Sequence, residues 1–389
     1  MKERTAVLKK GKDKAVRNRH HWIFSGAVQK LPDFEDGEIL GVQSAEGDFL
    51  GYGYFNRQSS IVGRMVTFDR TPPFQAIEAR LDSALALREK FVEPGTNACR
   101  LINAEGDGLP GLIVDRYDDV LVVQVATLGM EKLKPLIISL LVGRLSPRTI
   151  YEKSVLPARH EDGLPASEGL LYGAQAETVE IREDGLRFLV EIVGSQKTGF
   201  YLDLRPMRRL VRSLAAGRRV LNCFCYTGAF SVAALAGGAS SVDSVDSSER
   251  AVALARRNAA LNGFQRVDDT FSVADVFDFL RRELQPYDFI ILDPPAFAKR
   301  KTEVVRACRG YKDINRLALQ KTRPRGLLLT FSCSHFVDRA LFQQVIFQAA
   351  GEAGRGVRIL QRHHLAYDHP VNVYHPESEY LKSLLLYVD

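Results

Sequence analysis

From about Glu191 to the C-terminus, short apolar runs alternate with longer stretches of helical periodicity. The runs Arg219–Asn222, Ser241–Asp246, Asp269–Val273, Phe289–Leu292 and Leu327–Phe331 predict strands. Between and after them, residues 229–236, 248–261, 275–283, 311–321 and 338–351 predict helices. Strands alternating with helices build a parallel sheet covered on both faces, so this half reads as an α/β domain. In such sheets ligands bind outside the carboxyl ends of the strands, and chemistry is to be sought there.

The N-terminal half has a different texture. Residues 1–72 read as short strands and turns, with glycines at 37, 41, 47, 51 and 53 punctuating β-type runs such as Phe49–Phe55 and Ile61–Phe68. Thr71-Pro72-Pro73 marks a boundary, because proline continues neither a helix nor a ladder. Residues 73–190 read as an α+β middle domain. It opens with an amphipathic helix, Phe74–Phe91, and a turn-rich loop, Ala104–Gly111. Strands near Leu112–Asp115 and Val120–Ala126, a helix around Glu131–Val142, a strand at Thr149–Lys153 and a hairpin across Glu183-Asp184-Gly185 complete it. The expected domains are therefore 1–72, 73–190 and 191–389.

A chain of 389 residues with 46% hydrophobic content can build several cores. Its longest apolar stretches, such as Leu136–Val142, are too short to cross a bilayer. The N-terminus is charged, and the five cysteines lack zinc-like pairing, so no metal ligand set is read and reduced thiols in a cytoplasmic, soluble protein are expected. The net charge of +6 is unevenly placed: residues 1–30 carry +7, so the remainder sums to −1. Such an excess is the footprint of a polyanion site, or simply a solvated basic arm. Trp22 and Phe24, beside Lys9, Lys10, Lys12, Arg17 and Arg19, favour RNA, since aromatic rings let bases stack.

The first strand of the α/β half runs into Asn222-Cys-Phe-Cys-Tyr-Thr-Gly228, with one glycine where a dinucleotide site needs three. S-adenosylmethionine (SAM) has no phosphate and needs instead close backbone approach and polar partners. Asp246 ends the second strand 18 residues after Gly228, suited to ribose hydroxyls, and Asp275 follows the third, suited to the adenine amino group. Each could equally cap the helix that follows. Asp293-Pro294-Pro295 follows the fourth strand and points to methyl transfer on a nucleobase. Ala296 stands between it and Phe297, which weakens the variant used on exocyclic amines.

After the fifth strand comes Ser332-Cys333-Ser334-His335. Pyrimidine C5 attacks a methyl donor only after a thiolate adds to C6, and Cys333 is placed to be that nucleophile. Cys308 competes, in Arg306-Ala-Cys-Arg309-Gly-Tyr311-Lys312. That stretch, with Lys299, Arg300 and Lys301, would suit RNA phosphate while Tyr311 packs on a base; a solvated loop and helix start is the plainer alternative. Asp293 could meet the N3 and N4 edge of the base. His335 reads as incidental, and no residue declares itself as the base that removes the C5 proton.

These residues resemble the RlmI-type 23S rRNA (cytosine-C5)-methyltransferases. The likeness rests on Val220–Phe230, Asp293-Pro-Pro-Ala-Phe297, Ala307–Asn315 and Thr330-Phe-Ser-Cys-Ser334, and extends through Lys197–Arg205, Glu105–Gly111 and His21–Gly26. It implies a PUA-like RNA-binding domain, an α+β middle domain and a class I Rossmann-like methyltransferase domain. It further implies SAM contacts around Asn222, Phe224, Tyr226, Thr227, Gly228, Asp246, Asp275 and Asp293, with Tyr201 helping to close the pocket and Cys333 as nucleophile. RNA, 23S rRNA in particular, is the implied partner; a homodimer is compatible with the sequence. The bulky Phe224 and Tyr226, where small residues often stand, typify that family. Methylation of a base nitrogen and a non-catalytic assembly factor with a relict SAM pocket remain the competing readings.

Overall fold

The structure, a computed structural model, describes residues 4–195, 198–265, 269–282, 285–362 and 365–389. Lys2 of the basic arm and Lys197 of the Lys197–Arg205 motif lie outside the described residues. The chain divides into two compact units: residues up to Asp184 with Val190–Leu202 and Tyr367–Glu379, and Gly185–Leu189 with Asp203–Ala366 and Tyr380–Asp389.

The first unit holds a six-stranded and a five-stranded sheet, and the strand Thr178–Glu183, which pairs with Leu186–Glu191. In the six-stranded one the spatial order is Trp22–Ile23, Gly63–Met65, Phe49–Phe55, Ile39–Gln43, Thr5–Leu8 and Val28–Lys30. It closes on Leu8, Leu40, Val42, Phe55 and Met65, all buried. The basic segment is folded into this sheet, so Arg17 ends a short helix and is held by Asp13 and Asp48 at 2.5 and 2.6 Å. The five-stranded sheet runs Ser167–Gly173, Thr149–Ser154, Val120–Val125, Leu112–Tyr117 and Ala98–Asn103. The helices Pro73–Phe91 and Leu128–Leu145 bury Ile77, Leu81, Met130 and Ile137 in one core with Leu112, Val114, Leu121 and Val123 of that sheet. Tyr54 joins the two sheets, its hydroxyl donating to the Pro110 carbonyl at 2.8 Å.

The segment Tyr367–Glu379 returns to this unit from the far end of the sequence. Arg88, paired with Asp107, also donates to the Asp368 carbonyl at 2.9 Å, and Asn103 donates to the Pro370 carbonyl at 3.0 Å.

The second unit is built on seven strands: β1 Arg219–Cys223, β2 Ser241–Asp246, β3 Thr270–Val273, β4 Tyr287–Leu292, β5 Thr322–Ser332, β6 Val357–Arg362 and β7 Lys382–Val388. Their order is β3-β2-β1-β4-β5-β7-β6. β1 to β5 pair in parallel, while β7 runs antiparallel to both neighbours. Helices α1 Arg205–Leu214, α2 Ala229–Ala236, α3 Glu249–Leu261, α4 Val276–Arg281, α5 Val304–Lys321 and α6 Arg339–Ala353 connect them. The strand order reverses between β1 and β4, so their carboxyl ends border the switch-point crevice where such sheets take ligands.

The central strands are continuous apolar runs because both faces are covered: Phe289, Ile290, Ile291 and Leu292 are all fully buried. Helix α5 begins at Val304, seven residues before the expected start at 311. The extension sets Ala307, Tyr311, Ile314 and Ala318 on one buried face and leaves Arg306 and Arg309 outside.

Candidate active site

The turn after β1 is held in an unusual backbone state. Phe224, Tyr226 and Gly228 alternate at φ of 58°, 46° and 77°. Left-handed φ at bulky residues is costly and persists only where the surroundings enforce it. Here they do. The Cys225 N–H donates to the Val245 carbonyl at 3.0 Å, the Tyr226 N–H to an Asp246 carboxylate oxygen at 2.9 Å, and the Gly228 N–H to the Cys225 carbonyl at 2.8 Å. Asn258 of α3 donates to the Thr227 carbonyl at 2.9 Å. Glycine is required at 228 on two counts: its φ, and an added Cβ that would stand 2.8 Å from that of Ala255.

Asp246, half-buried at the end of β2, has its second oxygen on the Ser248 N–H at 2.9 Å. The cap of α3 is Ser248, so Asp246 faces the β1 turn instead of capping a helix. Asp275 is exposed after β3 and does cap α4, accepting from the Asp278 N–H at 3.0 Å. Asn222 is 0% exposed: its amide nitrogen donates to Ser231, which meets Ser244 at 2.7 Å, bracing β1 against α2 and β2, while its Oδ1 has no hydrogen-bond partner among the described residues. Thr227 is likewise nearly enclosed. Tyr201 belongs to the first unit, half-buried beside Phe200, whose N–H donates to the Tyr117 hydroxyl.

Asp293, half-buried, starts the turn after β4, its N–H 3.5 Å from the Cys223 carbonyl. Beside it the Cys333 sulfur lies 3.8 Å from the Pro294 carbonyl oxygen. The loop carrying Cys333 is fixed by its neighbour Ser334, which accepts from the Ala298 N–H at 3.1 Å and meets the Tyr311 hydroxyl at 2.9 Å. The buried ammonium of Lys382 on β7 donates to the Ser334 carbonyl at 2.7 Å and the Tyr380 carbonyl at 2.6 Å. Sequence reading passed over Lys382 and Ser334, since only pairing of β5 with β7 brings them together.

Tyr311 corrects the sequence reading. It is 0% exposed, with its ring centroid 4.6 Å from that of Phe297, so it packs inside the domain and not on a base. Burial pushes its hydroxyl pKa up. Lys312 is paired with Glu352 at 2.5 Å, whereas Arg309 is exposed without a partner among the described residues. Cys308 is half-buried on α5, and burial raises its pKa; burial does the same to Cys223 and Cys225. His335 is exposed.

In the N-terminal domain, Lys10 and Lys12 are exposed without partners among the described residues, Arg19 is exposed and acts on the Asp69 carboxylate, and Lys9 donates to the Gly26 carbonyl at 3.0 Å. Trp22 is half-buried, its indole N–H donating to Glu105 at 2.9 Å, so Phe24, 51% exposed, is the freer ring. Lys12, Trp22 and Phe24 line a cleft of about 360 Å³. No helix among the described residues is long and apolar enough to cross a membrane.

The donor set at the β1–β2–β4 ends, carboxylates around one tight turn with no glycine cradle for a pyrophosphate, suits an adenosyl amino acid. Residues 153–362 match the model of an S-adenosylmethionine-dependent methyltransferase family, and residues 6–68 match that of a PUA-like domain. Fold and site together define a SAM-dependent methyltransferase of the class I Rossmann-like type with an N-terminal PUA-like domain. Ribosomal RNA large subunit methyltransferase I of Shewanella denitrificans is 41% identical over 387 residues, covering 97% of this chain and 98% of its own length. The protein of that name in Aeromonas hydrophila is 42% identical over 388 residues, with coverage of 97% and 98%. The chain belongs to the ribosomal RNA large subunit methyltransferase I family. The crystal structure of SMU.776 complexed with SAH matches at a TM-score of 0.85 and 26% identity over 98% of this chain and 99% of that one.

Proposed function

We propose that this enzyme methylates C5 of a cytosine in 23S rRNA through a covalent bond between Cys333 and C6 of the base. The observation that carries the reading is the Cys333 sulfur 3.8 Å from the Pro294 carbonyl, on the edge where the acidic strand ends converge. The bound cosubstrate supplies an electrophilic methyl group. In the proposed sequence the Cys333 thiolate forms the S–C6 bond, and the electron pair displaced from the ring moves to C5, which takes the methyl as the methyl–sulfur bond of the cosubstrate breaks and its sulfonium leaves as a neutral thioether. Loss of the C5 proton then reforms the ring double bond and releases the thiolate. Asp293 meets the N3 and N4 edge of the base, and Lys382 positions the Cys333 loop through Ser334.

Methylation of an exocyclic amine is supported less. The aromatic ring after Asp-Pro-Pro, Phe297, is half-buried and packs against Tyr311, with Ala296 between it and the motif. Lys10, Lys12, Arg19 and Phe24 supply phosphate contacts and a stacking ring for the RNA. The test is incubation of methyl-labelled SAM with undermethylated 23S rRNA, followed by nucleoside analysis. Label in 5-methylcytidine supports the reading; label in a nitrogen-methylated base removes it.

A further inference from the structure

Three side chains far apart in sequence meet in the first unit: His20, His375 and Glu377. One imidazole nitrogen from each histidine and one carboxylate oxygen all lie within 4.8 Å of one another. His20 Nε2 is 3.3 Å from both oxygens of Glu377, and His375 Nδ1 is 3.8 Å from Oε2. We propose that His20, His375 and Glu377 bind a divalent transition-metal ion of the zinc class, at a site separate from the methyl-transfer chemistry.

One ligand atom is orphaned. His375 is 1% exposed, yet its Nδ1 has no hydrogen-bond partner among the described residues. Leaving a buried polar atom unsatisfied is costly, and a metal bond would satisfy it. The ligands are also supported from behind. His20 Nδ1 is 3.4 Å from the Trp22 carbonyl oxygen, and a proton held there turns the lone pair of Nε2 towards Glu377. The same nitrogen is 3.2 Å from the Trp22 N–H, so both tautomers are served and the group at Nε2 selects between them.

Charge and spacing agree. Glu105, which accepts the Trp22 indole N–H, acts on His375 together with Glu377, so two carboxylates balance a dication. Two imidazoles and a carboxylate suit zinc, whose bonds of about 2.0–2.1 Å set tetrahedral ligands roughly 3.4 Å apart. Small side-chain adjustments reach that spacing, and water would take the fourth position. The segment bearing His375 and Glu377 is already anchored by Arg88 and Asn103. The ion would therefore staple the returning segment to the PUA-like domain.

Trp22 is the sole tryptophan, and its ring centroid lies 4.4 Å from that of His375, so its fluorescence reports on the site. Chelator-treated full-length protein should show a saturable fluorescence change at one equivalent of Zn²⁺, a rise in Tm, and visible absorption of tetrahedral type with Co²⁺. Glu377→Gln preserves shape at a half-exposed position, and His375→Phe preserves the ring against Trp22. Each should weaken Zn²⁺ binding by about a hundredfold or more while SAM binding is unchanged. Absence of a one-equivalent response in the wild type, or wild-type affinity in both variants, overturns the proposal.

Discussion

The Cys333 sulfur stands 3.8 Å from the main-chain oxygen of Pro294, which ties the loop after β5 to the Asp-Pro-Pro turn after β4. Cys308 sits on α5, half-buried, with its thiol held in the neutral form by burial. Cys333→Ala should therefore lower turnover by at least about a thousandfold, as loss of a nucleophile does, with SAM affinity intact. Cys308→Ala should keep turnover within about threefold of wild type. Single-turnover assays with labelled SAM read both; the opposite ranking of the two variants would assign the nucleophile to Cys308.

The Asp246 carboxylate takes two main-chain N–H groups, one from the left-handed Tyr226 and one from Ser248. Asn at 246 offers one oxygen, so Asp246→Asn leaves one of those donors without its acceptor. At roughly 1–3 kcal/mol for that loss, SAM should bind about ten- to a hundredfold more weakly by calorimetry, with RNA affinity unchanged. Equal weakening of both ligands would point to general loss of fold.

Gly228→Ala combines a Cβ clash with Ala255 and an L residue at φ of 77°. A destabilisation of about 1–3 kcal/mol is expected, seen as a lower denaturant midpoint. Adding Ala255→Gly removes the 2.8 Å contact, leaving the Ala255 Cα at 3.1 Å and the strained φ, so the double variant should recover only part of the loss. Full recovery would leave the backbone state without energetic weight.

Lys10, Lys12 and Arg19 present exposed positive charge in the N-terminal domain. Changing all three to alanine should reduce the slope of log affinity for RNA against log salt by about two to three, near one for each phosphate left without its cation. Changing Arg17, already paired with Asp13 and Asp48, should alter that slope far less. Titrations at several salt concentrations separate the two.

The parallel strands were legible because burial on both faces leaves continuous apolar runs, and expected and observed bounds differ by few residues for β1 to β4. β6 and β7 were missed, since after β5 the strict alternation of strand and helix ends and the last strands pair antiparallel. Tyr311 was misread because the basic residues around it suggested a surface loop; α5 starting at Val304 turns it inward with Ala307 and Ile314. The burial of Asn222 was not legible either: position in a motif says nothing of which way a side chain points from a buried strand. The return of Tyr367–Glu379 to the first unit depends on pairings more than 260 residues apart, such as Asn103 with Pro370, which no local pattern encodes.

The central claim is carbon methylation through Cys333, and RNA bearing 5-fluorocytosine tests it most directly. Fluorine at C5 cannot leave as a proton does, so the methylated, enzyme-linked base should accumulate. The account predicts a stable protein–RNA adduct that requires SAM, carries one transferred methyl and disappears in Cys333→Ala. A substrate RNA that is methylated normally when unfluorinated, yet gives no adduct when fluorinated, would contradict it.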